Sequence, residues 1–499
     1  MAPSVVSLLL GLWGIRRENS MWRDEAATWQ AVHRSVPEIW HLLGQADVVH
    51  GLYYLFMRGV FAVFGDSLLT LRLPSVVAMA GATSLVTLLG TRLADRWAGL
   101  AAGLAFALLP AVQQYAQEGR SYALVTAGAA LTCWLLAVAI DNPHRPGLWG
   151  AYSIVVLTGA LLNWFSLLLL PAHAVTIALS RLPRATAVRW AVASSAGTIG
   201  ALPLVIASSA QSRQVAWIPP TRLSTLLGLL LTLLAGALCA WFARSKEDHR
   251  PLHNTHLQPT ALALPLLSVP PLLLLAASLT HPVYLSRYIL FSYIGLALLI
   301  GTACRALALR LRTPPRRLIT VSTALAFLGL LPLELSLRST AGRVDDVLCT
   351  AENVAAAQHR GDGVLFIPAA RRDTDLVSPS AFTGLKDLAL VRDPLTSGTL
   401  NGVEGSPPQI AAAMMTAHRI LVVTDDQTPS APTARDRTKL RVLKMHFALR
   451  SATSEHGRTV TVYEARTAAV PARSTATTPQ RRKTAQVQPR QRRRGLQHP

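Results

Sequence analysis

Long apolar runs separated by short polar connectors dominate the first two thirds of the chain. A spanning helix needs about 20 largely apolar residues, because the bilayer core holds no water to satisfy exposed backbone groups. Residues 97–117, 121–140, 190–211, 223–243 and 257–280 contain no Asp, Glu, Lys or Arg, and 73–90, 288–304 and 318–337 are nearly as apolar. The run at 148–180 is too long for one span, and both of its flanking connectors are basic, so it is expected to cross twice and turn near Asn163-Trp164. Residues 4–15 form a short first run followed by Arg16-Arg17, read as an uncleaved helix. The pattern predicts an all-α polytopic membrane domain over residues 1–340 with about eleven spans.

After residue 337 the pattern changes to that of a soluble domain. The stretches 363–368, 418–424 and 459–463 are short and β-branched, bounded by Gly, Asp or Pro, as strands are. A small α/β domain is expected over residues 341–466. From 467 to 499 Pro, Thr, Gln and Arg prevail without an apolar period, which predicts a disordered basic tail able to touch acidic lipid or wall polymer.

Composition agrees with a bilayer environment: 51% of residues are hydrophobic, 15% are charged, and the mean hydropathy is +0.35. The net charge of +22 resides in connectors and the tail rather than on a face interleaved with stacking aromatics, which argues against nucleic acid as a partner. Lys and Arg are retained on the cytoplasmic side of short connectors. The basic connectors 92–96, 144–145, 181–189, 244–256 and 305–317 are therefore assigned to the cytoplasm. The connectors 118–120, 211–222 and 281–287, poor in basic residues, go outside with the first loop and the C-terminal domain. A multi-pass protein of the cytoplasmic (plasma) membrane follows.

With the sides assigned, the unusual polar residues converge on the extracytoplasmic face. The first outer loop carries Trp22-Arg23-Asp24-Glu25-Ala26, then His50-Gly51-Leu52-Tyr53-Tyr54, and ends in Leu71-Arg72-Leu73-Pro74-Ser75. Later outer turns supply Tyr115 to Tyr122 with Glu118 and Arg120, then Asn163, Trp217, and Tyr284-Leu285-Ser286-Arg287-Tyr288. Taken singly, each has a bland explanation: Asp24-Glu25 as a solvated acidic pair, Glu118 and Arg120 as helix stops, Arg287-Tyr288 and Trp217 as interfacial anchors. Together they suit glycosyl transfer from a membrane-anchored phospho-sugar. A carboxylate at the interface can take the proton of an attacking hydroxyl, while Arg or His holds the leaving phosphate.

The order of these motifs resembles the GT-C glycosyltransferases, nearest to bacterial, actinobacterial-type relatives of protein O-mannosyltransferases and aminoarabinose transferases. The resemblance is densest over residues 20–140 and returns around 160–220 and 281–300. It implies a GT-C fold and an inverting transferase that moves a sugar, mannose by the nearest branch, from a polyprenyl-phosphate donor to an extracytoplasmic protein, glycolipid or wall-glycan acceptor. Asp24 matches the family's first-loop aspartate, which implies a general base, with Glu25 beside it and Glu118 at the second acidic position. Arg120, Arg287 and His50 are candidates for the donor phosphate. Tyr54, Tyr122, Asn163, Trp217 and Tyr288 are candidates for sugar or lipid contact.

Two departures stand out: His50-Gly51-Leu52 replaces a His-Pro-Pro-like turn, and Asn163-Trp164-Phe165 replaces a His-Tyr-Phe-like one. No metal or other cofactor is expected, because His253-Asn254-Thr255-His256 and Asp373-Thr374-Asp375 lie away from the proposed site. The competing reading is a lipid-linked-sugar flippase or other polytopic transporter, which calls for polar residues deep in several spans and a repeated architecture.

Overall fold

Prolines and short polar side chains set the ends of the helices. The computed structural model describes residues 1–211, 218, 220–244, 257–426 and 432–466. Trp217, the His253/His256 pair and the tail from 467 to 499 lie outside the described residues. The bundle contains α1 (Ala2–Leu12), α2 (Arg23–Val32), α3 (Val36–Gln45), α4 (Gly51–Phe64), α5 (Leu68–Leu93), α6 (Arg96–Leu108), α7 (Pro110–Ala116) and α8 (Tyr122–Asp141). It continues with α9 (Pro146–Leu162), α10 (Leu169–Leu179), α11 (Arg184–Ala210), α12 (Leu223–Ala243), α13 (Pro259–Ala277), α14 (Tyr293–Arg310) and α15 (Pro315–Arg338). Ser67 caps α5 by accepting from Thr70 N, and Asp95 caps α6 by accepting from Trp97 N and Ala98 N.

Among the described residues, seven helices are long and apolar enough to cross a membrane, and the bent pair α6–α7 counts as an eighth if it is one span. Residues 97–117 were expected as one continuous helix. The structure bends that run by 62° at Leu109-Pro110, where proline removes a backbone donor and forces Leu109 into an extended conformation. The run 148–180 breaks at Asn163, whose Oδ1 accepts from Phe165 N and stops α9 before α10 begins. The helices α1, α9 and α10 are shorter than a full span.

Leucines such as Leu227, Leu231, Leu234 and Leu238 on α12, and Leu325 and Leu328 on α15, are exposed on the outside of the bundle. This is a multi-pass membrane protein with lipid-facing helices. Inside, small residues let helices approach closely: a Cβ on Gly301 of α14 would lie 2.4 Å from Ala98 O of α6.

Beyond α15 lie α16 (Val347–Ala357) and a five-stranded sheet in the order β2-β1-β5-β7-β6. The strands are β1 (Gly363–Ile367), β2 (Lys386–Asp387), β5 (Arg419–Asp425), β6 (Phe447–Glu455) and β7 (Arg458–Ala465), with β3 (Leu390–Arg392) and β4 (Val403–Glu404) forming a separate pair. Strands β2, β1 and β5 are parallel, and β5, β7 and β6 are antiparallel. The three strands expected from sequence are β1, β5 and β7. Strand β6 was not foreseen, because only Phe447 of it is buried and most of its remaining residues face solvent without alternation.

This C-terminal region is pinned to the start of the bundle by hydrogen bonds and an ion pair. Asp345 accepts from Arg23 N (3.2 Å), Arg23 Nε (3.0 Å) and Arg458 Nη2 (2.9 Å). Asp346 accepts from Met21 N at 3.2 Å, and Val347 N donates to Met21 O at 2.7 Å. Asp373, half of the expected DxD spacing, is spent on Arg458 at 2.6 Å.

Candidate active site

The loop after α1 makes a tight left-handed turn in which Arg17, Glu18 and Asn19 all have positive φ, at 45°, 53° and 62°. Such conformations cost about 1–2 kcal/mol per residue for L-residues, so they persist only where surrounding contacts hold them. Here the turn sends Arg17 inward, fully buried, where Nη2 donates to Gln117 O at 2.5 Å.

Helix α2 follows and carries Asp24 and Glu25 in its first turn, where the positive end of the helix dipole favours carboxylates. Successive helical residues point about 100° apart, so the two adjacent acids meet different surroundings. Glu25 is fully buried and accepts from Arg72 Nε and Nη2, both at 2.7 Å, and from Gly119 N at 3.0 Å. Burial alone would raise its pKa, but the charge and hydrogen bonds of Arg72, then Arg17 and the Gly119 N–H, outweigh that and hold it at about 2. Asp24 keeps partial access to solvent and lies 3.4 Å from Arg287 Nη1. The structure therefore separates two residues expected to work side by side: Asp24 opens toward Arg287, and Glu25 closes a buried pair.

The Arg72-Leu-Pro-Ser motif of α5 anchors the next acidic turn. Ser75 Oγ donates to Glu118 O at 2.6 Å, and from α2 Thr28 Oγ1 donates to Gly119 O at 2.8 Å. Gly119 allows that close approach, because a Cβ there would sit 2.5 Å from Leu71 Cγ. Glu118 itself is buried, and neither carboxylate oxygen has a hydrogen-bond partner among the described residues. Its nearest counter-charge is Arg343 Nη2 at 3.7 Å. Burial raises the Glu118 carboxyl to about 7, with Arg343 and Arg287 opposing the rise and Asp24 and Glu25 adding to it.

On the other side of this turn, Arg120 Nη2 donates to His50 Nε2 at 3.2 Å, and Arg120 Nη1 to Tyr54 Oη at 3.4 Å. Tyr54 donates in turn to Asp47 at 2.6 Å. Burial, then the charges of Arg120 and Arg287, hold the His50 imidazole well below its usual pKa. Accepting from Arg120 requires a lone pair on Nε2, so His50 is neutral with its proton on Nδ1.

Arg287 sits among aromatic faces, with its guanidinium carbon 5.9 Å from the Trp22 ring, 5.8 Å from Tyr122 and 5.9 Å from Tyr288. Tyr288 stacks on Phe165 at 4.5 Å, and Phe165 on Trp164 at 4.1 Å. Asn163 lies one layer back and aligns that stack through its cap on Phe165 N.

Of the residues singled out from sequence, Asp24, Glu118, His50, Tyr54, Arg120, Tyr122, Arg287 and Tyr288 form one connected cluster, and Glu25 forms its buried support. Arg17, Asp47, Arg343 and Phe165 also belong to it and were not foreseen. Phe165 stood in the Asn163-Trp164-Phe165 motif but not among the site candidates, and Arg17 counted only as part of the basic pair after the first run; Asp47 and Arg343 are single side chains in loops without pattern.

Residues 51–208 match the family model described as dolichyl-phosphate-mannose-protein mannosyltransferase. Among curated proteins no sequence matches the chain. The structure is similar to that of ArnT from Cupriavidus metallidurans in the apo state, with a TM-score of 0.53 and 13% identity over 83% of this chain and 87% of that one. It is similar also to the same protein bound to undecaprenyl phosphate, with a TM-score of 0.52 and 12% identity over 92% and 97% of the two chains. The chain therefore has the GT-C fold of these ArnT structures, and the mannosyltransferase-family match covers about a third of its length.

Proposed function

From the GT-C fold and the mannosyltransferase-family match over residues 51–208, we propose that this protein is an inverting glycosyltransferase that uses a polyprenyl-phosphate sugar as donor. The observation that carries the reading is the 3.4 Å pairing of a partly exposed Asp24 with Arg287, beside the buried Glu118 and the Arg120–His50 pair. One ArnT structure holds undecaprenyl phosphate, which supports a lipid donor of that class here.

In this reading the acceptor hydroxyl oxygen attacks the anomeric carbon. The bond between that carbon and the phosphate oxygen breaks, and the configuration inverts. Asp24 takes the hydroxyl proton. The phosphate leaves with the bonding electron pair, and Arg287 stabilises its growing charge, with Arg120 behind it. Glu118 positions the acceptor. Glu25 holds α2 in place through Arg72. Mannose is the proposed sugar, and the acceptor is a protein hydroxyl, glycolipid or cell-wall glycan.

The basic connectors support placing the site and the C-terminal region outside the cytoplasmic membrane. The proposed topology has about eleven crossings, with α1, α9 and α10 as short spans, a transmembrane domain over 1–340, an α/β domain over 341–466 and a basic tail after it. Transfer from radiolabelled polyprenyl-phosphate-mannose to membrane extracts tests the activity. The wild type should transfer label, and Asp24→Asn should lower turnover about 10²–10⁴-fold with an unchanged melting temperature. An Asp24→Asn protein with full activity would remove the general base from this mechanism.

A further inference from the structure

Arg343 lies five residues beyond the last bundle helix, in the segment that leads into the C-terminal region, yet its side chain is buried against Glu118. We propose that Arg343 is a positioning residue of the active site, through which the C-terminal region supplies the counter-charge of Glu118 and holds its carboxylate toward the acceptor. The proposal rests on the transferase reading above and assigns a residue that the family match over 51–208 does not reach.

The geometry has three parts. Arg343 Nη2 donates to Gln114 O at 2.8 Å, and Nη1 donates to Gly342 O at 2.9 Å, which fixes the guanidinium at the end of α7. From there Nη2 reaches Glu118 Oε2 at 3.7 Å, with the two side chains only 4% and 1% exposed. An isolated buried carboxylate would take up a proton rather than keep its charge. Arg343 is the nearest cation opposing that.

The segment cannot swing away without loss, because the next residues clamp the first loop. Asp345 holds Arg23 through backbone and side chain and is itself held by Arg458 of β7, while Asp346 and Val347 pair with the backbone of Met21. Arg23 immediately precedes Asp24. One short stretch of the C-terminal region thus fixes the loop bearing one carboxylate and supplies the counter-charge of the other.

Several other groups face Glu118: Arg17 from the loop after α1, Asp24 and Glu25 from α2, Tyr53 from α4, Tyr115 from α7 and Arg287 before α14. Arg17 and Arg287 remain when Arg343 is removed. The expected effect is therefore a displaced titration, not complete loss. Glu118 acts as the carboxylate, so activity rises with pH as it loses its proton. Without Arg343 the proton is held more tightly and that limb moves to higher pH.

The test is the pH–rate profile of kcat for wild type, Arg343→Gln, Arg343→Lys and Glu118→Gln, with the Arg343→Gln/Glu118→Gln pair completing a cycle. Arg343→Gln should lower kcat roughly 10- to 100-fold at neutral pH and recover part of it at alkaline pH. Arg343→Lys should keep the wild-type profile within a few-fold, and Arg343→Gln should add nothing once Glu118 is Gln. An Arg343→Gln profile of unchanged position overturns the proposal, as does an equal loss at every pH. If Arg343→Gln does not fold, the Lys variant decides: a Lys profile as displaced as that expected for Gln overturns the charge assignment. A wild-type protein inactive with every polyprenyl-phosphate sugar sinks the transferase reading instead, and the two failures are told apart by that control.

Discussion

Arg72 of α5 and Glu25 of α2 face each other through two hydrogen bonds of 2.7 Å, with both side chains fully buried. The pair fastens the helix bearing Asp24 to a membrane helix. Removing one partner leaves an uncompensated buried charge, which costs about 3–5 kcal/mol. Glu25→Gln should therefore lower the melting temperature of the detergent-purified protein far more than Asp24→Asn does. Equal melting temperatures for the two variants would make Glu25 something other than an anchor. The pair also predicts acid lability. Glu25 has a folded pKa of about 2 against an ordinary value of 4.5, so its stabilisation is full above the ordinary value and is lost as pH falls from there through about 2. Wild type should lose stability over that window, and Glu25→Gln should lose less.

Arg287 is the cation closest to Asp24, and three aromatic faces hold it there. If it binds the donor phosphate, Arg287→Gln should raise the donor KM and lower kcat/KM by about 100-fold, the usual loss for a buried charge-assisted contact of 2–3 kcal/mol. Arg287→Lys should retain part of both, since a point charge replaces a planar fork. Steady-state kinetics against donor concentration distinguishes the outcomes, and an unchanged KM in Arg287→Gln would place the phosphate elsewhere.

Gly119 supports the Glu118 turn by leaving room for Leu71. Gly119→Ala should destabilise the protein by about 1–3 kcal/mol through overpacking. Because the clash is with the end of one side chain, Gly119→Ala combined with Leu71→Ala should be less disturbed in activity than the sum of the two single changes. Additive losses in a double-mutant cycle would show that the contact is not what constrains the turn.

The sequence displayed most of this site as motifs, but not how the motifs divide the work. Asp24 and Glu25 are adjacent letters, and no pattern told that α2 begins at Arg23 and turns one carboxylate toward Arg287 and the other toward Arg72. The break at Asn163 was legible, since run length and basic flanks demanded a turn; the bend at Pro110 was not anticipated, because the run around it stays apolar on both sides. Arg343 and Asp47 had no local signal at all. Arg343 meets Glu118 across 224 intervening positions only because the C-terminal region folds back on the first loop.

His50 is held neutral by burial and by its arginine neighbours, so it does not change charge across the ordinary assay range. His50→Gln preserves an acceptor for Arg120 and should leave the acid limb of the rate profile where it stands, with turnover within about ten-fold of wild type. His50→Phe removes the acceptor and should cost more. A limb that moves in His50→Gln would mean that His50, not Glu118, titrates in catalysis.

Phe165 sits between Trp164 and Tyr288 in a nearly parallel stack, with interplanar angles of 21° and 10°, and Tyr288 presents its ring to Arg287. The stack begins at the Asn163 break, a feature of backbone geometry, and ends on the guanidinium proposed to meet the phosphate. Each aromatic pair contributes about 0.5–1.5 kcal/mol beyond simple burial. Phe165→Ala removes two such contacts and lets Tyr288 tilt, so the donor KM should rise about ten-fold while the melting temperature falls. Phe165→Tyr keeps the ring and should restore both. If Phe165→Ala lowers the melting temperature but leaves the donor KM unchanged, Arg287 is held by Trp22 and Tyr122 alone, and the stack serves only to close the turn between α9 and α10.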